Sequence, residues 1–257
     1  MITSTANQQM KQLVQLLKKG KARKEQDVFV VEGLKMYQEA PAERIVKTYV
    51  SESFYEKYRQ QNIWKGEPLE VVSDRVFASV SDTKTPQGVL CLVKQYHYTP
   101  EEVMKGETPL LMIIENLQDP GNLGTIVRTG EGAGVTGIIM SRETVDIYNP
   151  KTIRSTMGSI YRMPFCYAED MKSIMEMLKK QKIVSYAAHL KGEKAHDEFD
   201  YCKGTAFLIG NEGNGLTEEL SDMADTYIRI PMCGQVESLN AAVASAVLLY
   251  EAQRQRR

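Results

Sequence analysis

The chain has 257 residues, 42% hydrophobic and 25% charged, with a net charge of −1; these ordinary globular values exclude a disordered or fibrous chain and allow two modest domains. The longest largely apolar stretch, residues 239–250, is interrupted by Asn240 and Ser245 and is shorter than the ~20 residues of a membrane span, and the first residues lack a charged start followed by an apolar block. A cytoplasmic protein without a membrane partner is expected. Four cysteines and three histidines occur with no C-x-x-C pair and no helical metal-ligand spacing, so no metal site is expected and the cysteines are read as buried or partly buried free thiols.

In residues 7–19, Met10, Leu13, Val14 and Leu17 recur at helical spacing, predicting an amphipathic helix that ends near Gly20. Residues 27–33 and 44–50 are β-branched runs separated by a short helical stretch, followed by a charged helix over 52–61 and strands over 69–72 and 88–93. The polar, proline-containing stretch after them reads as a linker, giving an N-terminal domain over 1–95, a linker over 96–108 and a second domain over 109–257. In the second domain, strands are predicted over 110–116, 135–141, 182–188, 204–210 and 226–232, alternating with helices over 122–133, 169–181, 217–223 and 238–254. That alternation predicts an α/β fold with a mostly parallel sheet covered on both faces.

The charge is uneven. Residues 1–100 carry 15 Lys and Arg against 11 Asp and Glu, the remainder 17 against 22. Within 11–24 six basic residues occur without an acidic one, a density that attracts a polyanion; the alternative is a solvated helix face.

Three segments can carry chemistry. Residues 115–134 leave a strand and enter a helix through Pro120, with Leu123, Ile126, Val127, Gly130 and Ala133 on one arc and Arg128 pointing away from it. Residues 207–216, FLIGNEGNGL, run from a buried strand into three glycines around Glu212, a turn able to wrap a ligand with main-chain groups. Residues 230–251 repeat the scheme, with Ser238 or Asn240 placed to cap the last helix. A G-x-G-x-x-G also occurs at 132–137, but it closes a helix and leads into a strand, the reverse of a dinucleotide site.

Taken in order, these segments resemble the three motifs of the SpoU/TrmH family of RNA 2′-O-ribose methyltransferases in the SPOUT superfamily: Asn122 and Arg128 in the first, Glu212 in the second, Ser238 and Asn240 in the third. The N-terminal part is similar to the family's L30e-like substrate-binding domain. The resemblance implies a C-terminal SPOUT α/β domain with a deep trefoil knot and a smaller N-terminal L30e-like α/β domain. It implies S-adenosyl-L-methionine as cofactor, held at Gly210, Ile230 and Leu239, and a homodimer with its active site across the subunit interface. The implied catalytic residues are Arg128, Asn122, Glu212, Ser238 and Asn240, acting on an RNA ribose 2′-hydroxyl. Lys18, Lys19, Lys21, Arg23 and Lys24 are expected to contact RNA phosphates, with Arg254, Arg256 and Arg257 adding to them. Ribosomal RNA is the expected substrate, transfer RNA the alternative. A non-enzymatic RNA-binding or ribosome-assembly protein on the same fold is the rival reading.

Overall fold

The computed structural model describes all 257 residues and divides into two units, residues 1–96 with 146–161 and residues 97–145 with 162–257. The first unit begins with α1 (Gln8–Lys18), α2 (Gly20–Gln26), β1 (Val28–Glu32), α3 (Leu34–Glu39), β2 (Ile45–Ser51), α4 (Glu52–Tyr58), β3 (Leu69–Val72), α5 (Asp74–Val80) and β4 (Val89–Lys94). Its sheet has the order β1-β4-β2-β3, with β4 antiparallel to both neighbours and β3 parallel to β2. α1 starts where the Asn7 side chain accepts the Gln9 N–H, and it buries Met10, Leu13 and Leu16 against Val30, Leu90 and Leu92 of the sheet.

A second helix follows Gly20, where the periodicity predicts only an end. The reason is Arg23, which is 4% exposed. Its Nη1 donates to the Leu16 carbonyl at 2.6 Å, one of the last-turn carbonyls that a helix leaves without a partner, while Nη2 and Nε reach Asp146 Oδ2 at 2.5 and 3.1 Å. Arg23 therefore joins α1 to α2 and cannot offer its charge to phosphate, contrary to the expectation for this residue.

The chain continues through α6 (Pro100–Val103), β5 (Leu110–Ile114), α7 (Pro120–Ala133), β6 (Gly137–Ser141) and α8 (Pro150–Thr156), the last lying in the first unit. Then follow β7 (Phe165–Ala168), α9 (Met171–Lys180), β8 (Val184–Ala188), β9 (Lys194–Ala195), β10 (Thr205–Ile209), α10 (Glu218–Met223), β11 (Thr226–Arg229) and α11 (Ala241–Gln255). The second unit's sheet is parallel throughout, in the order β7-β6-β5-β10-β8-β11-β9. Every residue of β5, β6 and β10 is buried, as expected for strands covered on both faces. From β5 the chain moves through β6 to β7 at one edge, while β10 inserts between β5 and β8. The carboxyl ends of β5 and β10 thus flank a switch in winding direction, where open α/β sheets leave a crevice for ligands.

Three further features differ from the sequence reading. The stretch expected as a linker contains α6, opened by a capping box in which Thr99 N–H donates to the Glu102 carboxylate at 2.7 Å; Val103 is fully buried and packs so tightly on Gly137 that a Cβ there would overlap it. Two buried apolar residues, Val103 and Met104, are too few to show as a period. Residues 146–161 join the first unit, where the Tyr148 ring stacks on Phe29 at 4.8 Å and Asp146 meets Arg23. Of the cysteines, Cys91 and Cys166 are buried free thiols, but Cys202 and Cys233 are exposed.

Candidate active site and cofactor pocket

The carboxyl end of β5 is anchored first. Glu115 is 7% exposed and accepts both the Thr217 N–H and its hydroxyl at 2.7 Å, tying the end of β5 to the start of α10. Asn116 follows in the left-handed region at φ 56°, its N–H bonded to Ser141 Oγ at 2.9 Å and its carbonyl accepting Asn211 Nδ2 at 2.9 Å. The chain then enters α7 through Asp119, whose side chain accepts the Asn122 N–H, with Pro120 in the first turn. α7 buries Leu123, Ile126, Val127, Gly130 and Ala133, the predicted arc, and leaves Arg128 exposed. It closes at Gly134, φ 81°, and leads into β6, so the 132–137 glycines are a helix stop.

The glycine turn after β10 folds back on itself through mutual Asn211 and Gly215 backbone hydrogen bonds of 3.0 and 2.9 Å. A Cβ at Gly210 would overlap the Gly215 backbone, so that position requires glycine, and Gly215 takes φ 68°. Folding in this way aims Glu212 at the start of α7. Its carboxylate accepts the Asp119 N–H at 2.9 Å, the Gln118 N–H at 3.1 Å and Asn122 Nδ2 at 3.0 Å. Partial burial works against its ionisation, but these three donors outweigh it and hold its pKa below the usual glutamate value. At neutral pH Glu212 is a carboxylate and an acceptor, so it orients its neighbours and is a poor proton acceptor.

The last loop closes the constellation. Asn240 caps α11, its Oδ1 accepting the Ala242 and Val243 N–H groups, and its Nδ2 donates to Asn122 Oδ1 at 3.0 Å. Glu212, Asn122 and Asn240 form one hydrogen-bonded chain although they lie 90 and 118 positions apart in sequence. Beside it opens a pocket of about 320 Å³, lined by the three predicted cofactor positions Gly210, Ile230 and Leu239, together with Ser238 and Glu212. Of the predicted catalytic residues, Glu212 and Ser238 line it; Asn122 and Asn240 are joined to Glu212 by hydrogen bonds without lining it, and Arg128 neither lines it nor belongs to that chain. Six residues beyond Asn122 on α7, it stands about 9 Å further along the helix and on another face.

The pocket also takes in Ala188 at the end of β8, His189 and Leu190 just past it, and Glu237 beside Ser238, none of which the sequence singled out. The signal was available for the first three: in a parallel sheet the residues just past the carboxyl end of a strand beside the switch point line the ligand crevice. Among the charged residues of the first unit, Lys18, Lys19, Lys21 and Lys24 are exposed, with Lys21 near Glu25 at 3.8 Å. At the C-terminus, Arg256 is committed to the carbonyls of Tyr201, Thr108, Pro109 and Lys203, contrary to the expectation that it adds a phosphate contact, while Arg254 pairs with Glu251 and keeps its side chain 64% exposed.

Residues 109–250 match the SpoU rRNA Methylase family. The chain belongs to this family. Residues 7–91 match the MRM3-like substrate binding domain. SpoU relatives resemble the chain from end to end. It is 32% identical over 250 residues, 97% of both chains, to the 23S rRNA (guanosine(2553)-2′-O)-methyltransferase RlmP of Bacillus subtilis (strain 168). The crystal structure of the AdoMet-bound rRNA methyltransferase from Sinorhizobium meliloti matches 98% of this chain and 97% of its own at 31% identity and a TM-score of 0.84. The SpoU methyltransferase AviRb from Streptomyces viridochromogenes, in complex with AdoMet, matches 97% of this chain and 98% of its own at 25% identity and a TM-score of 0.86. The protein is an S-adenosyl-L-methionine-dependent RNA 2′-O-ribose methyltransferase.

The pocket fits that cofactor. Gly213 and Gly215 have no main-chain atom within 4 Å of where a Cβ would stand, leaving main chain accessible, while Ile209, Ile228, Ile230 and Leu239 supply apolar walls.

Proposed function

We propose that the protein methylates ribosomal RNA as a homodimer, with Arg128 of one subunit serving the pocket of the other. The observation that carries the reading is the Glu212–Asn122–Asn240 chain, which gathers the three motif segments beside the pocket holding Gly210, Ile230 and Leu239. When bound, S-adenosyl-L-methionine supplies an electrophilic sulfonium methyl. The protein's part is to hold the ribose O2′ in line with it, so that the O–C bond forms as the C–S bond breaks. Asn122 is fixed by Glu212 on one side and Asn240 on the other, so its side chain stands in a set orientation, and Glu212 and Ser238 line the pocket. Arginine stays protonated, so Arg128 grips a phosphate or the developing 2′-oxyanion through its planar fork while the hydroxyl proton leaves to the RNA phosphate or to water.

The dimer reading is supported by the placement of Arg128. It is exposed and outside its own subunit's pocket, on α7 beside α11, whose Val243 and Tyr250 are 49% and 48% exposed. The substrate reading is supported by relatives named for ribosomal RNA along the whole chain. The trefoil threading is read onto the residues from β10 to α11, where the Gly210 turn and the loop before Asn240 pack around one pocket. A cytoplasmic enzyme is in keeping with a chain in which no helix is long and apolar enough to cross a membrane.

The test is methyl transfer from radiolabelled S-adenosyl-L-methionine to ribosomal RNA taken from cells lacking the gene, beside transfer RNA from the same cells. Label in ribosomal RNA, resistant to alkaline hydrolysis at one nucleotide, is expected; label in transfer RNA alone would replace the substrate. Mixing Arg128→Ala with Leu239→Arg protein separates the dimer question. Random exchange of subunits makes half the dimers mixed, each with one intact composite site, so recovery of about a quarter of wild-type activity is expected. No recovery would place Arg128 and its pocket in the same subunit.

A further inference from the structure

The first unit contains a second pocket, of about 420 Å³, lined by Leu34, Ser51, Ser53, Phe54, Lys57, Tyr58, Pro86, Gln87 and Gly88. It lies at one end of the four-stranded sheet, where β1 turns into α3, β2 turns into α4, and residues 81–88 enter β4. The walls are fixed from behind. Ser81 and Thr83 hydroxyls donate to Glu32 Oε1 at 2.6 and 2.7 Å, and the Leu34 N–H donates to Gln87 Oε1 at 2.9 Å. Gly88, at φ 86°, lies so close to α4 that a Cβ would stand 2.7 Å from Ser51 Oγ and 2.8 Å from Phe54 Cβ. Ser53 donates its N–H and hydroxyl to Asp74 Oδ1 at 3.1 and 2.7 Å.

The pocket is thus preformed, and its lining has a definite chemistry. Leu34, Phe54 and Pro86 are apolar, Tyr58 adds an aromatic ring, Lys57 is the one charged side chain, and no carboxylate lines it. Because Gln87 uses Oε1 to accept from Leu34, its amide points a donor, Nε2, that has no acceptor in the structure. A flat ring with an oxygen on its edge, carried on a phosphate, satisfies each of these groups. The volume is in the range of small-ligand sites, about 300–1,000 Å³.

We propose that this pocket receives one unpaired nucleotide of the substrate RNA, its base against Phe54, Pro86 and Tyr58, a base carbonyl on Gln87 Nε2 and its phosphate on Lys57. Unstacked bases in single-stranded segments are read in this way, by stacking and edge hydrogen bonds. The inference rests on the reading of the protein as an RNA methyltransferase acting on ribosomal RNA, and it assigns recognition of a base to this pocket, leaving phosphate contacts to the lysines of the basic run.

Gln87→Glu is the discriminating variant, since a carboxylate oxygen still accepts the Leu34 N–H while the donor is lost; Thr85→Glu places the same charge on the same loop outside the lining. With ribosomal RNA from cells lacking the gene, Gln87→Glu is expected to raise KM about tenfold with kcat within twofold of wild type, and Thr85→Glu to leave KM within twofold. Equal effects of the two variants would overturn the proposal. An arm that needs no catalysis uses fluorescence anisotropy with labelled eight-nucleotide oligouridylate and oligoadenylate, on full-length protein saturated with S-adenosylhomocysteine. At least threefold tighter binding of the oligouridylate, lost in Gln87→Glu, is expected; no preference, or one that survives the substitution, overturns the proposal. If the wild type transfers no methyl to ribosomal RNA, the substrate reading fails, and the anisotropy arm still decides the pocket.

Discussion

The glycine turn after β10 and the basic run on α1 and α2 both stand out in the sequence, yet the folded chain uses them differently. In the turn, the residue types are dictated by what they touch. Gly210 must lack a Cβ, and Glu212 must present two oxygens to the Asp119 and Gln118 N–H groups and to Asn122. In the basic run, five lysines are exposed and Arg23 is buried as the brace between two helices. A motif constrained by mutual contact specifies a place in three dimensions, whereas a density of like charge specifies only a field and says nothing of which member has been taken for structure.

The sharpest way to break that comparison is at the residue outside the pocket. Arg128→Ala is expected to lower kcat about 10²- to 10³-fold, the scale of losing one donor to a developing oxyanion, with cofactor affinity unchanged by calorimetry. A variant with full activity would remove the role given to Arg128. Leu239→Arg, which fills the pocket, is expected to weaken cofactor binding about 100-fold, equivalent to ~2.7 kcal/mol, and unchanged binding would displace the cofactor from the loop before Asn240.

Arg23 divides structure from recognition within the basic run. Arg23→Ala strands the Leu16 carbonyl and leaves Asp146 without its cation; with Asp146 partly exposed, a loss of about 2–3 kcal/mol of stability is expected in denaturant titration. The salt dependence of RNA binding by the folded variant should match wild type, and a flatter slope would return Arg23 to the phosphate-binding set. Replacing Lys18, Lys19, Lys21 and Lys24 by Gln has the opposite signature. Stability changes little, while the slope of log affinity against log salt falls by up to about 3 if all four meet phosphate. An unchanged slope makes them a solvated face.

Most strands and helices of the second unit were legible because buried parallel strands are short continuous apolar runs and α7 carries a clean apolar arc. The elements that escaped had weaker local signals. α6 buries only Val103, with Met104 just beyond its end, and β9 is two residues long. Residues 146–161 were assigned by position in the chain, but they are held in the first unit by Tyr148 on Phe29 and Asp146 on Arg23, contacts of long sequence separation that no local pattern encodes.

By itself the sequence determined the α/β class and the three segments that the folded chain joins beside the pocket, since backbone conformation, capping and burial act over a few neighbouring positions. Tertiary structure alone decided that Glu212, Asn122 and Asn240 share one hydrogen-bonded chain, that Arg128 stands apart from them, and that Arg23 is spent inside the fold. Those outcomes depend on how strands order themselves in a sheet and which groups compete for the same partner, and both are settled only when distant parts of the chain meet.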